Sequence, residues 1–284
     1  MGAFILRNLK VYIRDKGTVF FSFFGIVIIL LLYVLFLGDS IGKALENLKE
    51  SRYLLDTYIL SGVLEVSTIT TTLGVLGICT DDTVSGKKKD LIVSGLAGWE
   101  ISCGYIMTAI LVSFGISLIT LGGAEIYIVM RGGRALSLRA LLEVIYVLGV
   151  LVICSAGVSF LLVSLIKSHG AYSGLNVVVG TLSGFMTGVY IPFGSLNAGM
   201  QTVVKAVPMS HGGVLLRKLM MEDAIHKSFL SVPEETVMEF KKTMGITLFY
   251  KGQEIGKMQH LTALFLGSAV FYFIASLIRR HQMA

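Results

Sequence analysis

The sequence predicts an all-α polytopic membrane protein with six transmembrane helices. Three observations lead to this prediction. Hydrophobic residues make up 54% of the 284-residue chain and charged residues only 15%, whereas soluble domains carry about 25% charge. Charge-poor blocks of bilayer length alternate with short charged segments. All three prolines fall in one segment outside these blocks, so each block can form an uninterrupted helix. A soluble globular domain is thereby excluded.

The N-terminal element is predicted to be an amphipathic interfacial helix over residues 1–16. In FILRNLKVYIRDK, apolar side chains alternate with basic ones, which is typical of a helix that lies on a membrane surface. Residues 17–38 follow without a charged side chain. At about 1.5 Å rise per residue they cover roughly 33 Å, enough for the hydrocarbon core. This block is too long for a cleavable signal peptide, so we expect it to be the first span.

Five further charge-poor blocks complete a transmembrane domain over residues 17–284. The expected spans are 57–79, 103–130, 140–166, 171–191 and 261–278. Residues 80–102 form a charged loop, and residues 192–260 form a long outer segment that holds the prolines. Within the outer segment we expect re-entrant pieces, then a short helix in SVPEETVMEFKKTMG that Ser231 caps and Gly245 ends. We also expect a small hairpin in TLFYKGQEIG.

The distribution of basic residues predicts the orientation. The net charge is +6, and the basic residues cluster at the ends of apolar blocks, which favours a role in membrane orientation over nucleic-acid binding. Six spans place both termini on one side. With the termini inside, the inner segments hold ten Lys and Arg residues and the short outer loops hold six. The positive-inside rule therefore predicts N-in and C-in.

Signatures of catalysis and metal binding are missing from the sequence. It has no G-x-x-x-x-G-K-[ST] loop for nucleotide phosphates and no H-E-x-x-H or paired C-x-x-C for zinc. The five histidines are scattered over loops and segment ends. We therefore expect that the chain is not itself an enzyme, that it holds no metal and that it binds no cofactor.

A polar face in the second span is the first candidate functional feature. Ser61, Glu65, Thr68 and Thr72 step by four, three and four residues, so they share one face of a helix. A carboxylate in hydrocarbon costs about 2.5–3.5 kcal/mol, so it should face protein or water. Two interpretations stay open. The face either lines a wet transport path, or it forms a helix interface in which Glu65 is neutral or hydrogen-bonded.

Three glycines in the fifth span form the second candidate feature. Gly180, Gly184 and Gly188 make a G-x-x-x-G-x-x-x-G pattern, and small residues four apart let helix backbones approach closely. The pattern is compatible with helix packing inside one subunit and with packing across a dimer.

Three stretches carry a resemblance to a known family. The first is a basic amphipathic helix that ends in Arg-Asp just before the first span, RNLKVYIRDKGTVFFSF. The second is a charged loop that leads to a short helix, DDTVSGKKKDLIVSGLAGWEIS. The third combines a Gly-rich exit from the fifth span, two prolines and a helix with Arg217, SGFMTGVYIPFGSLNAGMQTVVKAVPMSHGGVLLR. In this order and spacing they resemble the membrane subunit of the type-2 ABC exporter family.

The resemblance implies ATP-driven export. A separate cytoplasmic ABC ATPase, in two copies, would bind ATP and Mg, and a second permease chain, identical or related, would complete the path. The second and fifth spans would line the path and the dimer seam. The loop at 80–102 would carry a coupling helix that docks on the ATPase. Its expected contact residues are Asp90, Leu91, Ile92 and Leu96.

The expected setting is the bacterial plasma membrane, with lipid but no nucleic acid as a partner. An amphipathic drug, antibiotic or peptide is the expected substrate. The alternative function is a secondary transporter or channel that works without ATP.

Two features depart from the family pattern. The loop lacks the proline that the family often has where Gly98 and Trp99 stand. The outer segment, at about 222–258, is longer and more polar than a minimal member needs, which indicates a lineage-specific outer cap.

Overall fold

The computed structural model describes residues 1–32, 50–230, 232–250 and 252–283. Its first half contains α1 (Gly2–Arg14), α2 (Lys16–Leu32), α3 (Ser51–Val84), α4 (Lys87–Val93) and α5 (Gly98–Met130). Its second half contains α6 (Leu138–Ser164), α7 (His169–Met186), a 3-10 turn (Phe193–Ser195), α8 (Ala198–Ala206), α9 (Pro208–Met220), α10 (Glu222–Ser228), α11 (Glu234–Thr243), strands β1 (Phe249–Tyr250) and β2 (Gln253–Glu254), and α12 (Lys257–Met283). The predicted all-α class is confirmed for these residues, with one small hairpin added.

Four of the described helices are long and apolar enough to cross a membrane: α3, α5, α6 and the Lys257–Ile278 part of α12. The chain is therefore a polytopic membrane protein. Helix α2 is equally apolar but has 17 described residues, and residues 33–38 of the predicted first span lie outside the described residues. Helix α7 has 18 residues. The count of six spans and the N-in, C-in orientation stay predictions.

Helix α3 forms the centre of the bundle. It packs against α2, α5, α6, α7 and α9, and its side chains are buried on nearly every side. Buried residues, both apolar and polar, surround its whole circumference, which is the pattern of a core helix rather than a surface helix. By contrast, α5 and α12 leave most of their apolar surface outside the bundle. The second span is thus a protein-facing helix, and α5 and α12 lie at the periphery of the bundle.

Helix α3 also extends beyond the predicted span at both ends. Its 34 residues measure roughly 51 Å at about 1.5 Å per residue, which is longer than the hydrocarbon core. The helix ends at Val84 because Gly86 follows in a left-handed conformation, with a φ of 81°. Helix α4 therefore lies outside the predicted span.

The N-terminal helix, α1, packs against the end of the bundle where α3 ends and α5 begins. Arg7 of α1 donates from two guanidinium nitrogens to the carboxylate of Asp82 on α3, and Tyr105 of α5 donates its hydroxyl to the same carboxylate at 2.8 Å. These hydrogen bonds, with the charge of Asp82, raise the pKa of Arg7. Phe4 packs edge-on to Tyr105 at 5.1 Å between ring centroids, in space that Gly104 leaves free.

The outer segment folds back against the bundle. Helix α9, which Pro208 begins, packs against α3, α6 and α12. At its contact with α12, the Nδ1 atoms of His211 and His260 are 2.7 Å apart, within hydrogen-bond distance. Helix α11 ends as predicted, because Gly245 takes a φ of 66° and Ile246 donates back to the carbonyl of Lys241 at 2.9 Å.

Two further predictions concern the same segment. The hairpin predicted in TLFYKGQEIG is confirmed, with Phe249 paired to Glu254 and Tyr250 to Gln253. Ser231, the predicted cap of α11, lies outside the described residues, and Pro233 occupies the N-cap position of that helix.

Replacing Asp82 with Asn should loosen α1 from the bundle. The substitution leaves the guanidinium of Arg7 without a charged partner, so we expect a loss of about 1–2 kcal/mol in unfolding free energy. We also expect faster trypsin cleavage at Lys10 in detergent-solubilised protein. The matched control is Asp81→Asn, which changes the neighbouring, exposed carboxylate. Equal cleavage rates for both variants would show that the ion pair does not hold the helix.

Candidate transport path and coupling surface

Glu65 forms a buried ion pair near the middle of α3. Its side chain is 2% exposed and that of Arg217, on α9, is 5% exposed. Arg217 donates from Nη2 to Glu65 Oε2 at 3.4 Å. The polar side chain that the sequence places inside the membrane therefore finds its partner on a different segment, 152 residues further along the chain.

Arg217 also connects three other parts of the chain. Its guanidinium lies 5.4 Å from the ring centroid of Tyr58, and Nη1 donates to the carbonyl of Gly245 at 3.3 Å. The hydroxyl of Tyr58 donates to the carbonyl of Gly188 at 2.7 Å. The pair thus holds together α3, α9, the turn after α7 and the turn after α11.

Gly213 makes this pairing possible. It lies on α9 opposite Glu65, and a Cβ atom added at Gly213 would overlap the Glu65 carboxylate. Only glycine leaves room there for the carboxylate and for Arg217 four residues on. Sequence reasoning did not identify Arg217 as the partner of Glu65. The available signal was an arginine in an otherwise apolar stretch of α9, PMSHGGVLLR.

The polar face of α3 forms a hydrogen-bonded interface with α6. The hydroxyl of Thr68 lies 2.9 Å from that of Ser155, and the hydroxyl of Thr72 lies 3.0 Å from that of Ser159. Ser61 donates to the carbonyl of Tyr58 on its own helix at 2.6 Å. Ser155 and Ser159 repeat the four-residue step on α6, and such pairs stabilise helix contacts in lipid. In this structure Ser61, Glu65, Thr68 and Thr72 are closed in by protein, and their assignment to a transport path stays a prediction.

An open cavity of about 530 Å³ lies on another face of α3. The α3 residues that border it include Val66, Thr70, Gly74, Gly77 and Asp81, which step by four, four, three and four residues. Helix α2 and the C-terminal end of α1 border it from one side and α7 from another. Sequence reasoning missed this face, although a threonine followed by two glycines at helical spacing marks a second small, polar stripe.

Polar side chains from three helices project into this cavity. The hydroxyls of Tyr12 and Ser22 lie 2.8 Å apart. Tyr172 of α7 donates its hydroxyl to the carbonyl of Leu73 at 2.8 Å, across the space left by Gly77, and Asn176 donates to the carbonyl of Tyr172 at 3.0 Å. The cavity therefore offers hydroxyl, amide and aromatic groups beside apolar ones.

The three glycines of the predicted packing motif occupy three different environments. Helix α7 ends at Met186, so Gly188 lies beyond the helix, in a turn with a φ of 71°. Gly184 is covered by the ring of Tyr190 from the same chain. Gly180 borders the cavity, and within the described residues no atom beyond its chain neighbours and its own helix backbone lies within 4 Å of the position that its Cβ would take. The helix stops because Gly188 adopts the left-handed conformation, so the continuous fifth span to residue 191 is not formed.

The predicted coupling residues point in two directions. Leu91 and Leu96 are partly buried and pack against the hydrophobic core. Asp90 and Ile92 are exposed, and so are Val93, at 86%, and Trp99, at 64%. From α4 to the start of α5, the large apolar side chains that are exposed are Ile92, Val93 and Trp99, which we call the apolar knob.

A helix cap fixes the end of the coupling loop. Helix α5 begins at Gly98, and the backbone amide of Ala97 donates to the carboxylate of Glu100 at 2.9 Å. Glu100 thereby caps the helix that follows the knob and fixes the direction in which the chain leaves it.

Comparison with known proteins identifies the class. The family model described as "ABC-2 family transporter protein" matches residues 45–278. The chain therefore belongs to the ABC-2 transporter family and is a multi-pass membrane permease. Members of this family generally work with an ATPase subunit and dimerise. A search of the curated proteins found no match. Among the described residues, no group of three or more His, Cys, Asp or Glu could hold a metal ion.

Glu65→Gln should destabilise the protein strongly, because it leaves the Arg217 guanidinium buried and unpaired. We expect a loss of about 3–5 kcal/mol in unfolding free energy, measured by denaturant titration in micelles. The double variant Glu65→Leu with Arg217→Met replaces the pair by apolar side chains and should recover most of that loss. Glu222→Gln, at an exposed position, is the control. If the Glu65→Gln protein is as stable as the control, the ion pair does not stabilise this site.

Proposed function

We propose that this chain is the permease subunit of an ABC exporter and forms the translocation path for an amphipathic drug, antibiotic or peptide. The observation that carries this proposal is the match to the ABC-2 family over residues 45–278. The energy source is a separate cytoplasmic ATPase, two copies of which bind ATP and Mg. The absence of a phosphate-binding loop from the sequence agrees with this division of labour.

The arrangement of the bundle ends supports the coupling role of the apolar knob. The Arg7–Asp82 pair brings α1 to the end of α3 from which α4 follows. The outer segment contacts the opposite end of α3, where the Tyr53 hydroxyl donates to Asp223 of α10 at 3.3 Å. Helices α1 and α4 therefore share one end of the bundle. With N-in orientation, that end faces the cytoplasm and presents Ile92, Val93 and Trp99 to the ATPase.

A second permease chain, identical or related, completes the path. Helices α2 and α7 flank the cavity and carry exposed apolar side chains, among them Phe21 on α2 and Val177 and Leu182 on α7. Covering them with a second chain would remove apolar surface and enclose the cavity between subunits. We place this assembly in the bacterial plasma membrane. The chain itself forms the translocation path and transmits the conformational change of the ATPase. It is not an enzyme and needs no cofactor of its own.

Val93→Asp should separate the permease from its ATPase. A charge placed in the centre of an apolar contact is buried without a partner, which costs several kcal/mol and lowers recovery of the complex at least about tenfold. The measurement is co-purification of the ATPase through a tag on the permease. Ser94→Asp adds the same charge at the next, exposed position and should have a smaller effect. Full recovery of the ATPase with Val93→Asp would exclude the apolar knob from the contact. A purified permease that transports without any ATPase would favour the secondary transporter.

A cysteine at position 177 should crosslink the two permease chains. Val177 is 69% exposed on α7, so an oxidant should yield a dimer several-fold more efficiently there than at Phe273 on the peripheral α12, which is similarly exposed. The experiment requires a background in which Cys79, Cys103 and Cys154 are replaced. Equal crosslinking at both positions would contradict a seam at α7. Gly184→Leu tests packing within the subunit, because Tyr190 already fills that space.

A further inference from the structure

The cavity beside α3 has an uneven distribution of charge. Among the described residues that line it, the charged ones are Asp15 and Asp81, and both are acidic. Asp15 lies at the junction of α1 and α2, and Asp81 lies three residues before the end of α3. Both therefore lie at the end of the cavity next to α1. The other described residues that line the cavity carry no charge, and Arg14 and Lys16, which flank Asp15 in the sequence, are not among them.

The carboxylate of Asp15 is held in its ionised form. The backbone amide and the hydroxyl of Thr18 donate to it at 3.1 and 2.6 Å, and these hydrogen bonds lower the pKa of Asp15. The basic group that pairs with Asp81 is His169, whose Nδ1 lies 3.1 Å from the carboxylate and whose side chain is largely exposed. His169 does not line the cavity, so it leaves the interior without a positive charge.

The remaining lining suits a bulky cation with an apolar body. Tyr12, Phe21, Tyr172 and Tyr190 contribute aromatic rings, and the faces of aromatic rings attract cations. Thr70, Ser22 and Asn176 contribute polar groups, each of which also donates to a backbone carbonyl.

We propose that this cavity binds an amphipathic organic cation, with its positive charge at the Asp15–Asp81 end and its apolar body between α2, α3 and α7. This inference rests on the proposed exporter function and names the substrate class of that path. An organic anion of the same size and shape is repelled at the same end. The cavity of about 530 Å³ lies in the size range of sites for drug-sized molecules.

Two probes of nearly equal size and opposite charge test the proposal directly. Tetraphenylphosphonium and tetraphenylborate differ chiefly in the sign of their charge. Binding of each is measured to the purified permease in nanodiscs, with binding to empty nanodiscs subtracted. We expect the cation to bind at least about tenfold more tightly than the anion. In the double variant Asp15→Asn with Asp81→Asn this ratio should fall at least about fivefold. The charge-matched control, Glu234→Gln with Glu235→Gln on α11, should leave the ratio unchanged.

A second variant separates the cavity from the surface charge. Thr70→Phe fills the cavity from α3 and should weaken cation binding about tenfold or more. Thr120→Phe makes the same change on α5, at a half-buried threonine that also donates to its own backbone, and should bind the cation normally. Equal affinity for cation and anion in the parent protein, or unchanged binding in Thr70→Phe, would overturn the proposal.

Two further measurements distinguish failure of the substrate class from failure of the exporter proposal. Assembly with the ATPase and ATP hydrolysis by the complex are measured on the same preparations. A complex that assembles and hydrolyses ATP but shows no preference for the cation would refute the substrate class and leave the permease function intact. A permease that prefers the cation but recruits no ATPase would refute the exporter function and keep the cavity assignment.

Discussion

The fold depends on the burial of one charge pair, Glu65 with Arg217. Neither residue can stay in an apolar interior alone, because an unpaired buried charge costs several kcal/mol. Arg217 therefore has to reach α3 from the outer segment, and α9 has to lie close enough for Gly213 to accommodate the carboxylate. The turns at Gly188 and Gly245 are then fixed through Tyr58 and the guanidinium. A charge that appears costly for the second span thus determines where the whole outer segment lies.

Helix α3 uses one face for packing within the protein and another face to border the open cavity. One face carries Glu65 and the Thr–Ser pairs to α6 and is closed by protein. The face that carries Thr70, Gly74 and Gly77 borders the open cavity. Because the closed face holds the helix in place through hydrogen bonds, the open face can use small residues without loss of position. This division explains how a helix with many hydroxyl side chains serves as the core of a membrane bundle.

The sequence predicts the helical class, the hairpin and the end of α11 because local patterns determine them: hydrophobic blocks, turn residues and the left-handed glycine at Gly245. It does not predict which side chains meet over long distances. Arg217 lies 152 positions from Glu65, and no local pattern links the two residues. The glycine motif shows the same limit, since spacing alone does not reveal that the helix stops before Gly188. In the coupling loop, composition indicates contact residues, but only packing distinguishes the inward Leu91 from the outward Val93.

The long separation within the buried ion pair bears on how the protein is made. Chains are synthesised at about 5–20 residues per second, so the 152 residues between Glu65 and Arg217 take roughly 8–30 s to translate. During that interval α3 has to enter the bilayer without its counter-ion. Helices α5 and α6 are synthesised during this interval. Their hydroxyl groups, including those of Ser113 and Ser155, can form hydrogen bonds with α3. The ion pair of the central helix can therefore form only after Arg217, in the C-terminal third of the chain, has been synthesised.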